Sequence, residues 1–192
     1  PDVRPDVRGD MAHGYMEIRY LLQKDLLDTV QALKEIDDRF LSVFGRGGTP
    51  YVEPYRCEDA EFVAVSLGSL SYHLRDVVDM LREEGLKVGA TSVHLYRPFP
   101  AEIIAEHLRP YKGVIVFEKA LSYGYEGTLA TEIKSSLYRG MKNTGNVPFV
   151  KNYILGLGGR EIATGDLVEA FRSSCTPEGP DTGEAHWIGL KF

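Results

Sequence analysis

The chain has 192 residues, of which 43% are hydrophobic and 26% are charged, a balance typical of soluble globular proteins and not of disordered or membrane proteins. The length suits one α/β domain with attached segments. The net charge is −6 and Lys and Arg never cluster beyond a pair, which argues against a nucleic-acid-binding protein. The sequence contains no apolar run long enough for a membrane span and no signal pattern, so we expect a cytoplasmic protein.

A long helix is predicted near the N-terminus, after a Pro/Asp/Arg-rich opening typical of a linker. The stretch from Tyr15 to Phe44 contains no Pro or Gly, and its apolar residues recur at three- and four-residue steps. These residues are Ile18, Leu22, Leu26, Val30, Leu33, Ile36, Phe40 and Val43. Such a helix is roughly 45 Å long, longer than a small domain is wide. We therefore expect part of it to lie against something besides its own domain.

Strands and helices then alternate four times, after a turn-rich connection over residues 45–58. The alternation predicts a mainly parallel, buried sheet with crossover helices on its faces, a three-layer Rossmann-like α/β fold. The predicted strands are 61–67, 87–96, 113–117 and 147–155, and the predicted helices are 69–84, 101–108, 127–138 and 166–173, the last capped by Thr164.

The predicted organisation is a linker over 1–14, the long helix and its connection over 15–58, the α/β domain over 59–174 and a tail over 175–192. The tail ends in an apolar patch of Trp187, Ile188, Leu190 and Phe192. Two interpretations stay open, because free tails rarely keep such residues exposed. The patch either folds onto its own domain or docks onto a neighbouring subunit or domain.

The loops that follow the strands are the candidate binding sites, because they gather at the carboxyl edge of a parallel sheet. Gly68 and Ser69 begin a helix, where free N–H groups can hold an anion. The same two residues also suit a plain tight turn with a serine cap. The glycine fingerprint of dinucleotide-binding proteins is missing after this strand.

Arg97 and Glu118 each follow or end a predicted strand. Arg97 precedes Pro98, and Pro100 is predicted to start the next helix. Arg97 is therefore either a ligand contact or part of a rigid corner, packed by Phe99, in which it pairs with a carboxylate such as Glu118. Glu118 is in turn either a buried acid with a functional role or that pairing partner.

A glycine-rich loop separates the last predicted strand from the last helix. Glycine at positions 156, 158 and 159 predicts positive φ angles or a close approach of two backbones. A phosphate-binding P-loop carries Lys and Ser or Thr after its last glycine, whereas this loop continues with Arg160 and Glu161. Gly158, Gly159 and Arg160 are kept as candidate ligand contacts only.

Neither the cysteines nor the histidines follow a catalytic or metal-binding pattern. Cys57 and Cys175 are the two cysteines and cannot supply the four thiolates of an iron–sulfur cluster. The five histidines lack the spacing of metal sites, and no nucleophile-elbow motif surrounds a serine. We assign no catalytic and no metal-binding residue; the histidines are His13, His73, His94, His107 and His186.

Several stretches, in this order, resemble the α subunit of pyruvate:ferredoxin oxidoreductase, or pyruvate synthase, and its 2-oxoacid relatives. The likeness covers about residues 15–174 and implies the transketolase C-terminal-like domain at the C-terminal end of that subunit. In the family this domain follows a pyrimidine-binding domain that carries a cofactor-activating glutamate. Neither that domain nor its glutamate is among the stretches that match here. The stretches are DAEFVAV (59–65) with Gly68-Ser69, LREEG (81–85) with KVG (87–89), RPFPAE (97–102), SYG (122–124) with Glu126-Gly127, and YILGLGGR (153–160).

The resemblance implies a complex that performs thiamine-dependent, CoA-dependent oxidative decarboxylation of a 2-oxoacid, with pyruvate the first candidate, and passes electrons to ferredoxin. It implies β, γ and δ subunits and a ferredoxin as partners, with a homodimer contact as a further option. Thiamine diphosphate, Mg²⁺, iron–sulfur clusters and CoA are expected in the full complex and none on this chain alone, which we expect not to be catalytic by itself. Two alternatives stay open: the C-terminal domain of another thiamine enzyme, of the transketolase or 2-oxoacid dehydrogenase β type, or a stand-alone module for a small ligand or nucleotide.

Overall fold

Six strands form one mixed sheet in the computed structural model, which describes residues 14–139, 147–175 and 184–191. β1 runs antiparallel to β3, and all other neighbouring strands are parallel. The predicted parallel sheet is therefore confirmed for its four long strands. The order across the sheet is β1 (Val52–Tyr55), β3 (Val88–Val93), β2 (Phe62–Leu67), β4 (Gly113–Glu118), β5 (Phe149–Ile154) and β6 (His186–Trp187).

Helices cover both faces of the sheet, which confirms the predicted three layers. α2 (Leu70–Glu83) and α5 (Thr164–Ser174) pack together on one face, and α3 (Ala101–Leu108) packs with α4 (Thr128–Arg139) on the other. Every residue of β3 and β4 is buried. This explains why these strands, up to Glu118 at the end of β4, are continuous runs of small and apolar residues without alternation, as expected for strands covered on both sides.

The core under α2 and α5 is built around three aromatic rings. The Phe117 ring stacks on Tyr153 at a centroid distance of 5.2 Å and meets the edge of Phe171 at 6.3 Å. Phe117 and Phe171 are fully buried, and the Tyr153 hydroxyl bonds to Ser174 Oγ at 3.0 Å. The three rings thereby join β4, β5 and α5 to one another.

The chain divides into two compact units, the first of which contains α1 (Tyr15–Phe44) and Tyr96–Pro98. The bounds of α1 are those predicted from its sequence, and none of its residues is buried. Gly45 ends the helix in the left-handed conformation, as is common after a helix. Among the residues that the structure describes, no helix has the length and apolar character needed to cross a membrane.

Three local predictions were wrong. β1 lies inside the segment assigned as a connection; its Pro54 made it unlike a strand, since proline is confined to edges and bulges of sheets. The predicted strand 87–96 ends at Val93. Thr164 does not cap α5: the N-cap residue is Ala163, and Thr164 Oγ1 instead bonds to His73 Nε2 at 2.9 Å.

The end of the chain folds onto its own domain, which was one of the two interpretations of the tail. His186 and Trp187 form β6 and pair with the end of β5, and Ile188 packs against the core. Trp187 and Leu190 nevertheless keep 44% and 52% of their surface exposed. Phe192, the last residue of the predicted patch, lies outside the described residues.

Replacing Phe117 by Ala is expected to lower the free energy of unfolding by about 3–5 kcal/mol, because it opens a cavity between β4, β5 and α5. Phe149→Ala is the matched control: this ring is partly exposed and contacts Phe62 at 6.1 Å. The control should cost about 1 kcal/mol. Urea unfolding of both variants measures the difference, and equal losses would contradict the assigned core.

Candidate functional site

The carboxyl ends of the parallel strands lie at one edge of the sheet, as the predicted site requires. Leu67 is level with Val93, and Glu118 is level with Ile154. The chain passes from β2 outward to β3 and then returns to the far side of β2 to form β4. This reversal is the topological switch point at which α/β sheets place ligands.

The centre of this edge is occupied by the carboxylate of Glu118, which is 3% exposed. Its Oε2 accepts the N–H of Leu129 at 2.8 Å, and its Oε1 accepts the N–H of Ala130 at 3.1 Å. Both amides belong to the first turn of α4, whose dipole favours a negative charge. Its observed contacts are those of an acid that caps a helix, which neither of its two interpretations included, and a functional role for Glu118 stays a prediction.

Asn152 completes this cap from the neighbouring strand β5. Its Nδ2 donates to Glu118 Oε1 at 2.9 Å and its Oδ1 accepts the N–H of Gly127 at 2.9 Å. Gly127 also lies so close to the carboxylate that a Cβ there would overlap Glu118. Glu118, Asn152 and Gly127, which we call the cap cluster, thus join β4, β5 and α4 in one buried network.

Burial raises the pKa of Glu118 above the usual glutamate value, and the N–H donors around it oppose part of that rise. The effect of burial is larger than that of the N–H donors, because the carboxylate is almost inaccessible to water and desolvation penalises its charged form. The protonated form of Glu118 is therefore more favoured in the folded chain than in the unfolded chain.

A second buried carboxylate, Glu126, lies one residue before Gly127. It is paired with Lys134 and accepts a hydrogen bond from Thr131 Oγ1 at 3.2 Å. Both partners are on α4. The loop between β4 and α4 is therefore fastened to the same helix at two points.

The Gly68-Ser69 turn has the glycine conformation expected of a tight turn, with a φ of 64° at Gly68. Ser69 occupies the predicted N-cap position of α2, but its side chain makes no capping bond to the helix. The buried hydroxyl pair is instead Ser66 and Ser71, whose Oγ atoms are 3.0 Å apart. Whether an anion binds at Gly68 and Ser69 stays a prediction.

The glycine-rich loop has the backbone predicted from its sequence. Gly156, Gly158 and Gly159 have φ angles of 64°, 63° and 78°. A Cβ at Gly156 would press on Ile162, whereas Gly158 and Gly159 have open space around them. Arg160 follows in an exposed position, and ligand contacts by Gly158, Gly159 and Arg160 stay a prediction.

Arg97 belongs to the first compact unit and is described with it. Its Nη1 donates to the carbonyl of Tyr96 at 2.8 Å, and its guanidinium lies 4.2 Å from the centre of the Tyr96 ring. The helix that follows has the predicted bounds, Ala101–Leu108, and Pro100 is its N-cap residue. A ligand contact by Arg97 stays a prediction.

The cysteines and the described histidines take part in separate local contacts. His107 Nε2 lies 2.9 Å from Thr91 Oγ1, and burial lowers the pKa of His107. Cys175 donates to the carbonyl of Phe171 at 3.2 Å, and burial raises the pKa of its thiol to about 12. Cys57 donates to the carbonyl of Ala90 at 3.2 Å.

Exposed aromatic side chains surround an open depression at the carboxyl edge. Tyr125 and Trp187 line it together with Leu121, and its volume is ≈ 450 Å³. Tyr123, in the same loop, is 91% exposed. We call Tyr123, Tyr125 and Trp187 the aromatic patch, and note that large exposed aromatic residues are enriched in protein interfaces.

Sequence reasoning missed three residues that organise this edge: Asn152, Lys134 and Thr131. One signal was present for Asn152, which is a polar residue inside a predicted strand and is followed there by the apolar residues Tyr153, Ile154 and Leu155. Lys134 and Thr131 lie on the face of α4 toward Glu126, at eight and five residues from it along the chain. They bond to Glu126 only because the loop before α4 folds back onto the helix, and the sequence gives no local sign of that fold.

Gly127→Ala is expected to lower the free energy of unfolding by about 3 kcal/mol, because the new methyl group displaces the buried carboxylate of Glu118 from its N–H donors. Gly165→Ala, in the first turn of α5, is the matched control because a Cβ there meets nothing within 4 Å. The control should change stability by no more than about 0.5 kcal/mol. A neutral Gly127 variant in chemical denaturation would contradict the cap cluster.

Glu118→Gln is expected to remove a pH dependence of stability. Because the folded pKa of Glu118 is raised, its contribution is full below the unfolded pKa and is lost as the pH rises through the folded pKa. The wild type should therefore lose stability relative to the Gln variant as the pH rises from about 4. Thermal or urea unfolding across pH measures it, with Glu161→Gln, an exposed residue, as the control for lost charge. A difference that grows in favour of the wild type as the pH rises would refute the sign.

Comparison with known proteins places the chain in a family. The sequence model of the family described as pyruvate:ferredoxin oxidoreductase core domain II matches residues 60–167, more than half of the chain. The chain is 37% identical to ketoisovalerate oxidoreductase subunit VorA of Pyrococcus horikoshii, over 92% of this chain and 44% of that subunit. It is 38% identical to pyruvate synthase subunit PorA of Pyrococcus abyssi, over 98% of this chain and 47% of that subunit.

The chain thus spans about half the length of the curated relatives it matches. A solved α chain of a probable 2-oxoacid ferredoxin oxidoreductase from Thermoplasma acidophilum is 22% identical, with 65% of this chain and 96% of that chain covered and a TM-score of 0.36. The family match confirms the resemblance inferred from the sequence, and the chain belongs to the pyruvate:ferredoxin oxidoreductase core domain II family.

Proposed function

We propose that this chain is the C-terminal part of the α-type subunit of a cytoplasmic 2-oxoacid:ferredoxin oxidoreductase, and that it supplies structure and subunit contacts to the complex. The observation that carries the proposal is the match of residues 60–167 to core domain II. Residues 59–174 form its transketolase C-terminal-like domain in this proposal. The geometry supports a structural role, because the buried carboxylates Glu118 and Glu126 are both bonded to α4.

The proposed substrate class is the 2-oxoacids. The relatives named for pyruvate and for ketoisovalerate are 38% and 37% identical to this chain, a difference too small to favour either acid. Both acids carry a ketone next to a carboxylate. Pyruvate is the first acid to test, in line with the name of the family.

The proposed complex carries thiamine diphosphate with Mg²⁺, iron–sulfur clusters and CoA on its other parts and passes electrons to ferredoxin. When bound, thiamine diphosphate supplies carbanion stabilisation. The cysteines of this chain do not fit a cluster, since a cluster needs four thiolates and the two cysteines donate to separate backbone carbonyls, of Ala90 and Phe171. No group of three or more His, Cys, Asp or Glu among the described residues is arranged for a metal ion. The proposal therefore assigns these groups to partner β, γ and δ subunits or to other parts of the α-type subunit.

The aromatic patch is the proposed contact with the thiamine-binding part of the complex. It lies at the carboxyl edge of the sheet, where the loop after β4 meets β6 and the residues just before it. Exposed Tyr and Trp side chains supply much of the binding energy of protein interfaces. Tyr123 is the most exposed of the three and carries no core contact that its removal would break.

Co-expression with candidate β, γ and δ subunits tests the proposal. We expect a stable complex that reduces ferredoxin in the presence of pyruvate or ketoisovalerate and CoA, whereas the chain alone is inactive. A chain that stays separate from these subunits would refute the proposal. Activity with NAD or a sugar phosphate in place of ferredoxin would assign the chain to another class of thiamine enzyme.

Tyr123→Ala should weaken association with the other subunits by about tenfold or more without changing the stability of the isolated chain. Tyr138→Ala is the control. Tyr138 is also a surface tyrosine, but it lies at the C-terminal end of α4, toward the amino ends of the parallel strands. Calorimetric or interferometric titration of both variants measures the affinity. If Tyr123→Ala binds like the wild type, the aromatic patch is not the contact surface.

A further inference from the structure

The apolar residues of α1 follow a seven-residue repeat that runs along its whole length. Counting Leu26 as position a, seven of the nine a and d positions between residues 15 and 43 are apolar. A pattern of this kind sustained over four heptads is typical of a coiled-coil seam. The a positions are Arg19, Leu26, Leu33 and Phe40, and the d positions are Tyr15, Leu22, Thr29, Ile36 and Val43.

This seam is exposed along most of its length. Leu22 and Leu26 are 46% and 39% exposed, and Ile36 and Val43 are 64% and 66% exposed. Helices of this kind gain most of their stability from packing of the apolar face, and a 30-residue helix offers about 45 Å of seam. That length is enough for a two-stranded coiled coil by itself.

We propose that a second copy of this chain covers the seam, with the two α1 helices antiparallel. Placing a positions against d positions then pairs Leu22 with Phe40, and Leu26 with Ile36, of the second copy. Near the centre, Thr29 meets Leu33 of the second copy. A two-fold axis through the middle of α1 relates the two helices, so every contact occurs twice.

Charge complementarity selects the antiparallel orientation. Asp25 and Arg39 both occupy g positions, which face each other in an antiparallel pair. The register set by the apolar layers brings Asp25 next to Arg39 of the second copy, on both sides of the axis. In a parallel pair the g positions face e positions, and Asp25 would lie against the apolar Val30.

The two seam positions that are not apolar are compatible with this pairing. The Thr29 hydroxyl already donates to the carbonyl of Asp25 at 2.9 Å, so its methyl group is left to face the partner helix. Arg19 lies near the end of the seam, where a long side chain can pack its stem and keep its charge in water. The inference rests on α1 alone and does not depend on the proposed function.

Sedimentation velocity and light scattering of the full chain over a concentration series test the proposal. We expect a dimer that the double variant Leu22→Gln, Leu26→Gln weakens by more than tenfold. Leu27→Gln is the matched control: it is a leucine on the same helix, 54% exposed, and lies off the seam. Circular dichroism and urea unfolding verify that each variant keeps its fold.

A charge exchange distinguishes the second copy from other occupants. Asp25→Arg or Arg39→Asp alone puts like charges together and should weaken the dimer about tenfold, whereas the double exchange restores it. A chain that is monomeric at every concentration, or a dimer indifferent to the seam variant or to the single exchanges, overturns the proposal. A chain that is monomeric alone but uses α1 to bind other subunits overturns it too, and leaves the proposed function standing.

Discussion

The buried carboxylate of Glu118 fixes the geometry of the carboxyl edge. It holds the first turn of α4 through two backbone amides and holds β5 through Asn152, so a strand, its neighbour and the following helix share one anchor. Gly127 has no side chain because that space belongs to the carboxylate. The loop from β4 to α4 leaves this anchor and returns to it, and therefore presents Tyr123 and Tyr125 outward.

The position of Glu118 also bears on what this sheet can bind. In many α/β proteins the first turn of a helix at the carboxyl edge holds a phosphate with free N–H groups. In this chain the N–H groups of Leu129 and Ala130 already bond to an acid supplied by the preceding strand. The protein has thus placed its own carboxyl group where many α/β proteins place a ligand.

Local patterns allowed much of the fold to be predicted, because they depend on neighbours along the chain. The bounds of α1 and α3, the parallel strands and the positive φ angles of the glycine-rich loop all followed from spacing and residue type. The cap cluster did not, since Asn152 is 34 residues from the acid it holds. β6 could not be predicted either, because it has two residues, too few for a periodic pattern, and it pairs with β5, which lies far from it along the chain.

The antiparallel strand β1 closes one side of the sheet, and its composition has a consequence for solubility. A row of free N–H and C=O groups at a sheet edge is a template for adding another chain. β1 is four residues long, contains Pro54, which lacks an N–H, and carries Glu53 bonded to Arg75. These features interrupt the template, so this side of the sheet is a poor site for the addition of a further strand.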